Sequence, residues 1–438
     1  MSAEKRDCGK PTLVDELCRW LYSFLLLLLI PLAIAKLAGK KRDQHSLFSH
    51  GKLERFGIVP LPPCHNGYLV HCVSVGEVVA ASCVIKQLLI DEPHTSITVT
   101  TTTSTGSARV RDIFGERVNH CYLPFDVSLC MLMMLKRIRP KAVLITEVEL
   151  WPNMVHMCWK RKVPVVVVNA RMTDRSARRY QKISRVFIPM LNKVSHVCAQ
   201  GKRDYQNYLS LGLSEKKLTL TNNIKFDQAA SVSIAPASFM GLESYKGPIL
   251  IAGSTHDPEE ETIIEAAKVL WKTYPALVVV IVPRHPERFD TVAELLISHE
   301  IGFTRSSSAN AFEINKPVIL LDEMGCLNNA YSVGTIAFVG GSIADKGGHN
   351  ALEPAVFSLP ILMGPNTYNN PVICQYLKDR GALQIVNDAY EVAQACGTWL
   401  SSKVLQQKAG NAGGQVLREN SGALNKTLAC LARTLAKN

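Results

Sequence analysis

A chain of 438 residues, 47% of them hydrophobic, carries apolar mass for two to three well-cored domains. Its formal charge of +12 calls for an anionic partner. There is no aromatic-basic RNA-binding signature and no zinc finger, which puts nucleic acid last behind a membrane surface or a phosphorylated substrate. Thirteen cysteines, scattered without a CxxC pair or a Cys/His cluster of zinc spacing, argue against a disulfide framework and for free thiols in a reducing compartment.

Residues 20–35, Trp-Leu-Tyr-Ser followed by a leucine-rich run, carry no charge, and Leu37 and Ala38 extend the run past Lys36. With Arg19 and Lys36 snorkelling, this is long enough for an uncleaved spanning helix, so residues 1–45 are expected to form a membrane anchor and its basic flank. A buried core helix and a helix lying in the interface are the competing readings. Lys5, Arg6, Lys10 and Arg19 precede the run and Lys36, Lys40, Lys41 and Arg42 follow it, so charge alone does not orient it.

Beyond a polar bridge, apolar runs at 68–73, 96–101, 119–123, 142–146, 163–169, 196–199 and 217–220 predict strands separated by helical patterns. That alternation means βαβ units and a parallel sheet covered on both faces. The rhythm pauses at 229–247 and resumes with strands at 248–252, 276–282, 317–321, 335–339 and 360–363. The expected fold class is α/β: a first Rossmann-like domain over 46–228, a linker over 229–247, and a second over 248–438 ending in helices broken at 410–414. Ligands of such sheets gather at the carboxyl ends of strands, in a cleft where two domains face each other.

The polar residues after each strand are therefore the candidates. Gly340-Gly341 ends one strand, and Gly347-Gly348-His349-Asn350 opens a helix predicted over 350–357. Unpaired amides there suit a phosphate, and Glu353 one turn in can accept from ribose hydroxyls, although turn formation and dipole capping explain both equally well. Arg284 and His285, between two prolines, offer a fork to phosphate. Ser254, Thr255 and Asp257 read as helix caps. Glu77 opens a helix after the first strand, as a general base or as an ordinary first-turn acid. Glu147 and Glu149 share one side of a strand end if the backbone stays extended. Lys225 sits at the end of the first domain.

Together these residues resemble the 3-deoxy-D-manno-octulosonic acid (Kdo) transferases of lipopolysaccharide assembly. The resemblance runs through Ser74-Val75-Gly76-Glu77, Thr146 to Asn153, Asn169-Ala170-Arg171, Lys225-Phe226-Asp227, Pro283-Arg284-His285-Pro286 and Gly347-Gly348-His349-Asn350. It implies a GT-B fold of two Rossmann-like domains on the cytoplasmic face of the bacterial inner membrane. It also implies inverting transfer of Kdo from CMP-Kdo to a lipid A precursor, lipid IVA, with more than one Kdo expected. On the same ground Glu77 would be the general base, with Glu147 and Lys225 supporting the transition state or acceptor. The nucleotide would contact Arg284, His285, Met324, Gly325, Cys326, Asn350, Ala351, Leu352 and Glu353. Cys326 stands where relatives usually carry a glutamate. No cofactor and no metal are expected, since the chain has no DxD. The competing assignment is a GT-B transferase or epimerase acting on a UDP-sugar.

Overall fold

The first sheet is built from β1 (Tyr68–His71), β2 (Ile97–Thr101), β3 (Asn119–Tyr122), β4 (Ala142–Thr146), β5 (Val165–Ala170), β6 (His196–Ala199) and β7 (Leu218–Leu220), in the order β3-β2-β1-β4-β5-β6-β7. The second comprises β8 (Ile249–Thr255), β9 (Val278–Pro283), β10 (Phe303–Arg305), β11 (Val318–Leu320), β12 (Ile336–Val339), β13 (Ile361–Met363) and β14 (Leu383–Ile385), ordered β10-β11-β9-β8-β12-β13-β14. All pairings are parallel. The computed structural model describes residues 11–38, 53–231, 239–309, 311–313 and 315–437. Residues 1–10 and 39–45 of the expected anchor segment, with their basic residues, and 232–238 of the expected linker lie outside these.

Strand alternation divides each sheet's apolar residues between two cores. In the first sheet Leu69, Val143, Ile145, Val165 and Val167 face one core, and Val70, Leu144, Val166 and Val168 the other. In the second, Leu250, Ala252, Val279 and Ile281 oppose Ile249, Ile251, Val278 and Val280. Covered on both faces, central strands read as unbroken apolar runs, which is why they are legible in the sequence.

The chain divides into two compact units, residues 1–228 with 421–438, and residues 229–420. The last helix, Ala423–Leu435, thus falls in the first unit rather than the second, where the sequence reading put it. Its start is held by Asp227, whose carboxylate accepts from the amides of Gly422 (2.6 Å) and Leu424 (2.9 Å). The expected break at 410–414 is absent: those residues lie inside the helix Lys403–Asn420, where a Cβ on Gly410 would strike the Ser358 carbonyl. The glycines are seats for close packing, and the break comes at Gly422, whose φ of 94° is left-handed.

The N-terminal helix Leu13–Ala38 is turned inside out. Arg19 points into the first unit and donates to Asn153 Oδ1 (2.8 Å) and Ser128 Oγ (3.1 Å), and Tyr22 donates to the buried Asp126 (3.1 Å). Glu16 pairs with Lys193 at 3.3 Å. Leu13, Leu17, Trp20, Phe24, Leu28 and Leu32 face outward and are all more than half exposed. Among the described residues no helix is long and apolar enough to cross a membrane.

Candidate active site

In the first unit, β1 runs into Ser74, which caps the helix Val75–Asp91 by accepting from the amide of Glu77. Glu77 returns the contact: Oε2 accepts from the Val73 amide (2.8 Å) and Oε1 from the Ser74 hydroxyl (3.0 Å). This reciprocal cap fixes the side chain, which is 8% exposed. Burial pushes its carboxyl up to about 7, and the nearby charges of Glu147 and Glu149 push the same way against the two hydrogen bonds. A base of that strength is half ionised near neutral pH.

Glu147, just after β4, has φ 61°, a left-handed conformation that costs a non-glycine residue about 1–2 kcal/mol. The backbone there is not extended, so the geometric premise of the Glu147–Glu149 reading fails. The two acids nevertheless stay close: burial first, and then Glu147, raise the Glu149 carboxyl. Lys225 opens the helix Lys225–Ala230. Burial pulls its amine below the ordinary lysine range, Glu147 opposes that shift, and Arg171 adds to it. Glu77, Glu147, Glu149, Lys225 and Arg171 are thus one electrostatic cluster at the carboxyl ends of β1, β4, β5 and β7. Asn169 (φ 50°) and Asn222 (φ 72°) bend the strand exits beside it, and Asn169 Oδ1 accepts from Ile224 N at 3.1 Å.

Leu150, Trp151 and Pro152, which follow Glu149 in the chain, line an apolar groove of about 420 Å³ walled by Leu21 and Leu25 of the N-terminal helix and by Tyr180 and Phe187. Tyr180 and Phe187 stack with centroids 3.9 Å apart. Tyr180 also senses the Glu149 charge, which together with burial raises its hydroxyl. The indole N–H of Trp151 is buried and has no hydrogen-bond partner among the described residues.

In the second unit the glycine loop is not the open amide cradle that the sequence implies. Buried Glu259 fills it, accepting from the amides of Gly341 (2.7 Å), Ser342 (2.8 Å), Ile343 (2.9 Å) and His256 (3.0 Å). Gly348 N and His349 N go to Gly341 O and Gly340 O at 2.7 and 3.0 Å. Gly341 holds φ 69°, and a Cβ there would come within 2.9 Å of the His349 ring. The helix after the loop is also shorter than expected, Leu352–Val356, with Ala351 as its cap.

What the loop positions instead is a histidine cluster. His256 Nε2 and His349 Nε2 lie 2.9 Å apart, with the rings stacked, and His285 meets His256 edge-on at 5.2 Å. Burial, and then the neighbouring rings and Arg284, hold His349 down to about 4, and burial lowers His256 as well. The His349 ring is therefore neutral at pH 7, and Arg284 and Lys346, both exposed, stand with Arg288 as the cations beside the pair. Arg284 is fixed by its amide, which donates to Thr255 O at 3.0 Å. Its charge reaches Glu353, whose carboxyl burial raises and whose Oε1 accepts from Asn350 Nδ2 at 3.3 Å.

The expected residues Arg284, His285, Asn350, Ala351, Leu352 and Glu353 therefore gather around one loop. Glu353 also lies beside Tyr331 of the helix Leu327–Val333, whose cap is Cys326, after exposed Met324 and left-handed Gly325. His256 and Glu259 were missed, because helix capping alone accounted for the stretch that carries them.

The family model described as 3-deoxy-D-manno-octulosonic-acid transferase (kdotransferase) matches residues 50–228. A 3-deoxy-D-manno-octulosonic acid transferase of Haemophilus influenzae is 39% identical over 425 residues, 96% of this chain and 99% of that one. The protein of the same description from Rickettsia felis is 30% identical, over 73% of this chain and 68% of its own. Among solved structures, UDP-GlcNAc 2-epimerase from Neisseria meningitidis bound to UDP-GlcNAc superposes with a TM-score of 0.56 at 14% identity, over 85% of this chain and all of that one. That likeness is one of fold alone.

Proposed function

The chain belongs to the family of 3-deoxy-D-manno-octulosonic acid transferases, and from that premise we propose how its residues divide an inverting transfer of one or more Kdo residues from CMP-Kdo to a lipid A precursor. The chain is a glycosyltransferase of lipopolysaccharide biosynthesis. The observation that carries the assignment of roles is the strengthened base: Glu77, fixed by its own cap and raised to about 7 beside Glu147 and Glu149.

Glu77 takes the proton of an acceptor sugar hydroxyl as that oxygen bonds to the anomeric carbon of Kdo. The bond from that carbon to the CMP phosphate breaks on the opposite side, and CMP leaves with the electron pair. General-base assistance of this kind is worth roughly 10²–10⁴ in rate. Lys225, lying between Glu147 and Arg171, orients acceptor oxygens or the donor carboxylate. In the second unit Arg284 and Lys346 meet the phosphate charge that grows on CMP. Glu353 and Asn350 receive the ribose, and Met324, Gly325 and Cys326 border the base. Because Glu259 already occupies the glycine-loop amides, donor affinity rests on Arg284 more heavily than an open amide cradle would require.

The acceptor's acyl chains fit the groove of Leu21, Leu25, Trp151, Tyr180 and Phe187, whose lining includes Leu150, the residue after Glu149. An apolar face of the N-terminal helix that is more than half exposed supports membrane association, with the helix lying in the interface of the anionic inner leaflet. Exposed Arg175, Arg178, Arg179, Lys182 and Arg185 supply the basic rim for lipid phosphates.

The test is incubation of the purified protein with CMP-Kdo and a tetraacylated lipid A precursor, with added Kdo counted by mass spectrometry. UDP-sugars serve as the control and should give no product. Turnover of a UDP-sugar with none of CMP-Kdo would refute the assignment.

A further inference from the structure

His196 and Cys198 lie two apart on β6, so alternation puts both side chains on one face of the sheet. The last helix, Ala423–Leu435, packs on that face and brings Cys430 to them from more than two hundred residues along the chain. One ligand atom of each residue falls within 4.8 Å of the other two. Cys198 and Cys430 are buried and His196 is half-buried, and both thiols are free. No spacing rule in the sequence could have found this set, because its members come from two elements far apart in the chain.

Arg433 Nη2 donates to Cys430 Sγ at 3.1 Å, one helical turn on. His196 Nε2 is also held by the Thr219 hydroxyl at 2.9 Å, the kind of outer contact that fixes a ligating ring.

We propose that His196, Cys198 and Cys430 form a binding site for a soft divalent cation, zinc, which clasps the last helix to β6. Two thiolates and an imidazole are a preferred donor set for zinc over magnesium or calcium. Bonds of roughly 2.3 Å to sulfur and 2.0 Å to nitrogen place tetrahedral donors about 3.5–4 Å apart, so the three atoms need to close by about an ångström at most. Binding releases the protons of the Cys198 and Cys430 thiols to solvent, the two sulfur charges balance the metal's, and water takes the fourth position. The site stands outside the Glu77 cluster and supplies no step of the transfer.

Cobalt reports this chemistry directly. Metal-free, reduced protein titrated with Co²⁺ should bind one ion per chain with a thiolate-to-cobalt charge-transfer band that Zn²⁺ bleaches, and Zn²⁺ should raise the melting temperature. Cys430→Ser abolishes the band, and Cys64→Ser, at an exposed cysteine, leaves it. Thr219→Ala, which removes the hydroxyl that holds the ring, weakens binding about ten- to a hundredfold and needs no change in the core. Absence of the band in the wild type, its survival in Cys430→Ser, or a Cys198–Cys430 disulfide in the protein as isolated would overturn the assignment.

Discussion

Both carboxylate oxygens of Glu77 accept hydrogen bonds, from Val73 N and Ser74 Oγ, so the capping reading of this residue is correct as far as it goes. What capping does not account for is a carboxyl raised to about 7 with two more acids beside it. The pH dependence follows. Below about 7 the base carries a proton, so kcat/KM should fall about tenfold per pH unit on the acid side. Glu149→Gln removes one of the charges that raise Glu77, and should move that acid limb to lower pH with kcat at pH 8 little changed. An unmoved limb would free Glu149 from this role. Glu77→Gln should fold, bind CMP, and lose roughly 10²–10⁴ in kcat. Stability has the opposite sign. The folded pKa lies above the unfolded value of about 4.3, so ionising Glu77 opposes folding, a cost absent below pH 4 and complete above pH 7. Glu77→Gln should therefore gain stability relative to wild type between pH 5 and pH 8, as thermal melts at the two pH values can read. Glu77, Glu147 and Lys225 stand out in the sequence as charged residues that follow strands, and they share one electrostatic cluster. His256 and Glu259 do not stand out, since each takes its meaning from partners 82 or more residues away.

A glycine-rich loop after a strand presents amides, and amides in a protein interior must be met by something. Here the partner is Glu259, at the start of the helix Glu259–Trp271, and the loop is a structural joint between that helix and β12. Glu259→Ala would orphan at least four buried donors and should lower stability by about 3–5 kcal/mol, while Glu259→Gln, which keeps an acceptor, should cost clearly less. Equal melting temperatures for Ala and Gln would return the loop amides to ligand binding. Elements differ in the same way in how far they can be read. Central strands such as β4 and β9 are continuous apolar runs. The strands that escaped notice, β10 (Phe-Thr-Arg) and β14 (Leu-Gln-Ile), are three-residue edges whose polar residues, Thr304, Arg305 and Gln384, break the apolar run. The N-terminal helix is plain in the sequence, but its docking is not. Hydropathy measures how apolar a stretch is, while Arg19, Tyr22 and Glu16 decide which side of it meets the protein.

At the scale of the whole molecule, the return of residues 421–438 to the first unit was invisible in the sequence, because nothing local distinguishes a helix that packs on its own unit from one that crosses back. The surplus of positive charge is visible in the sequence, and so is its clustering between Arg171 and Arg185; what the sequence does not show is the neighbour of that cluster. Arg175, Arg178, Arg179, Lys182 and Arg185 are exposed on the two helices from Asp174 to Lys193, the second of which packs against the N-terminal helix. A helix that offers leucines and tryptophan to solvent beside a basic rim obeys the energetics of a lipid interface and violates those of water. Each basic group near an anionic surface contributes about 1 kcal/mol, and salt screens it within ~10 Å at 0.1 M. Arg178→Gln, Arg179→Gln and Lys182→Gln together should therefore weaken binding to vesicles containing anionic lipid about a hundredfold and flatten its salt dependence. Binding to neutral vesicles should barely change. Leu28→Asp, on the outward face of the helix, should weaken binding to both kinds of vesicle. If the charge changes and Leu28→Asp act alike on the two kinds of vesicle, the helix and the rim do not form one membrane-facing surface, and the cationic surplus must serve the soluble donor instead.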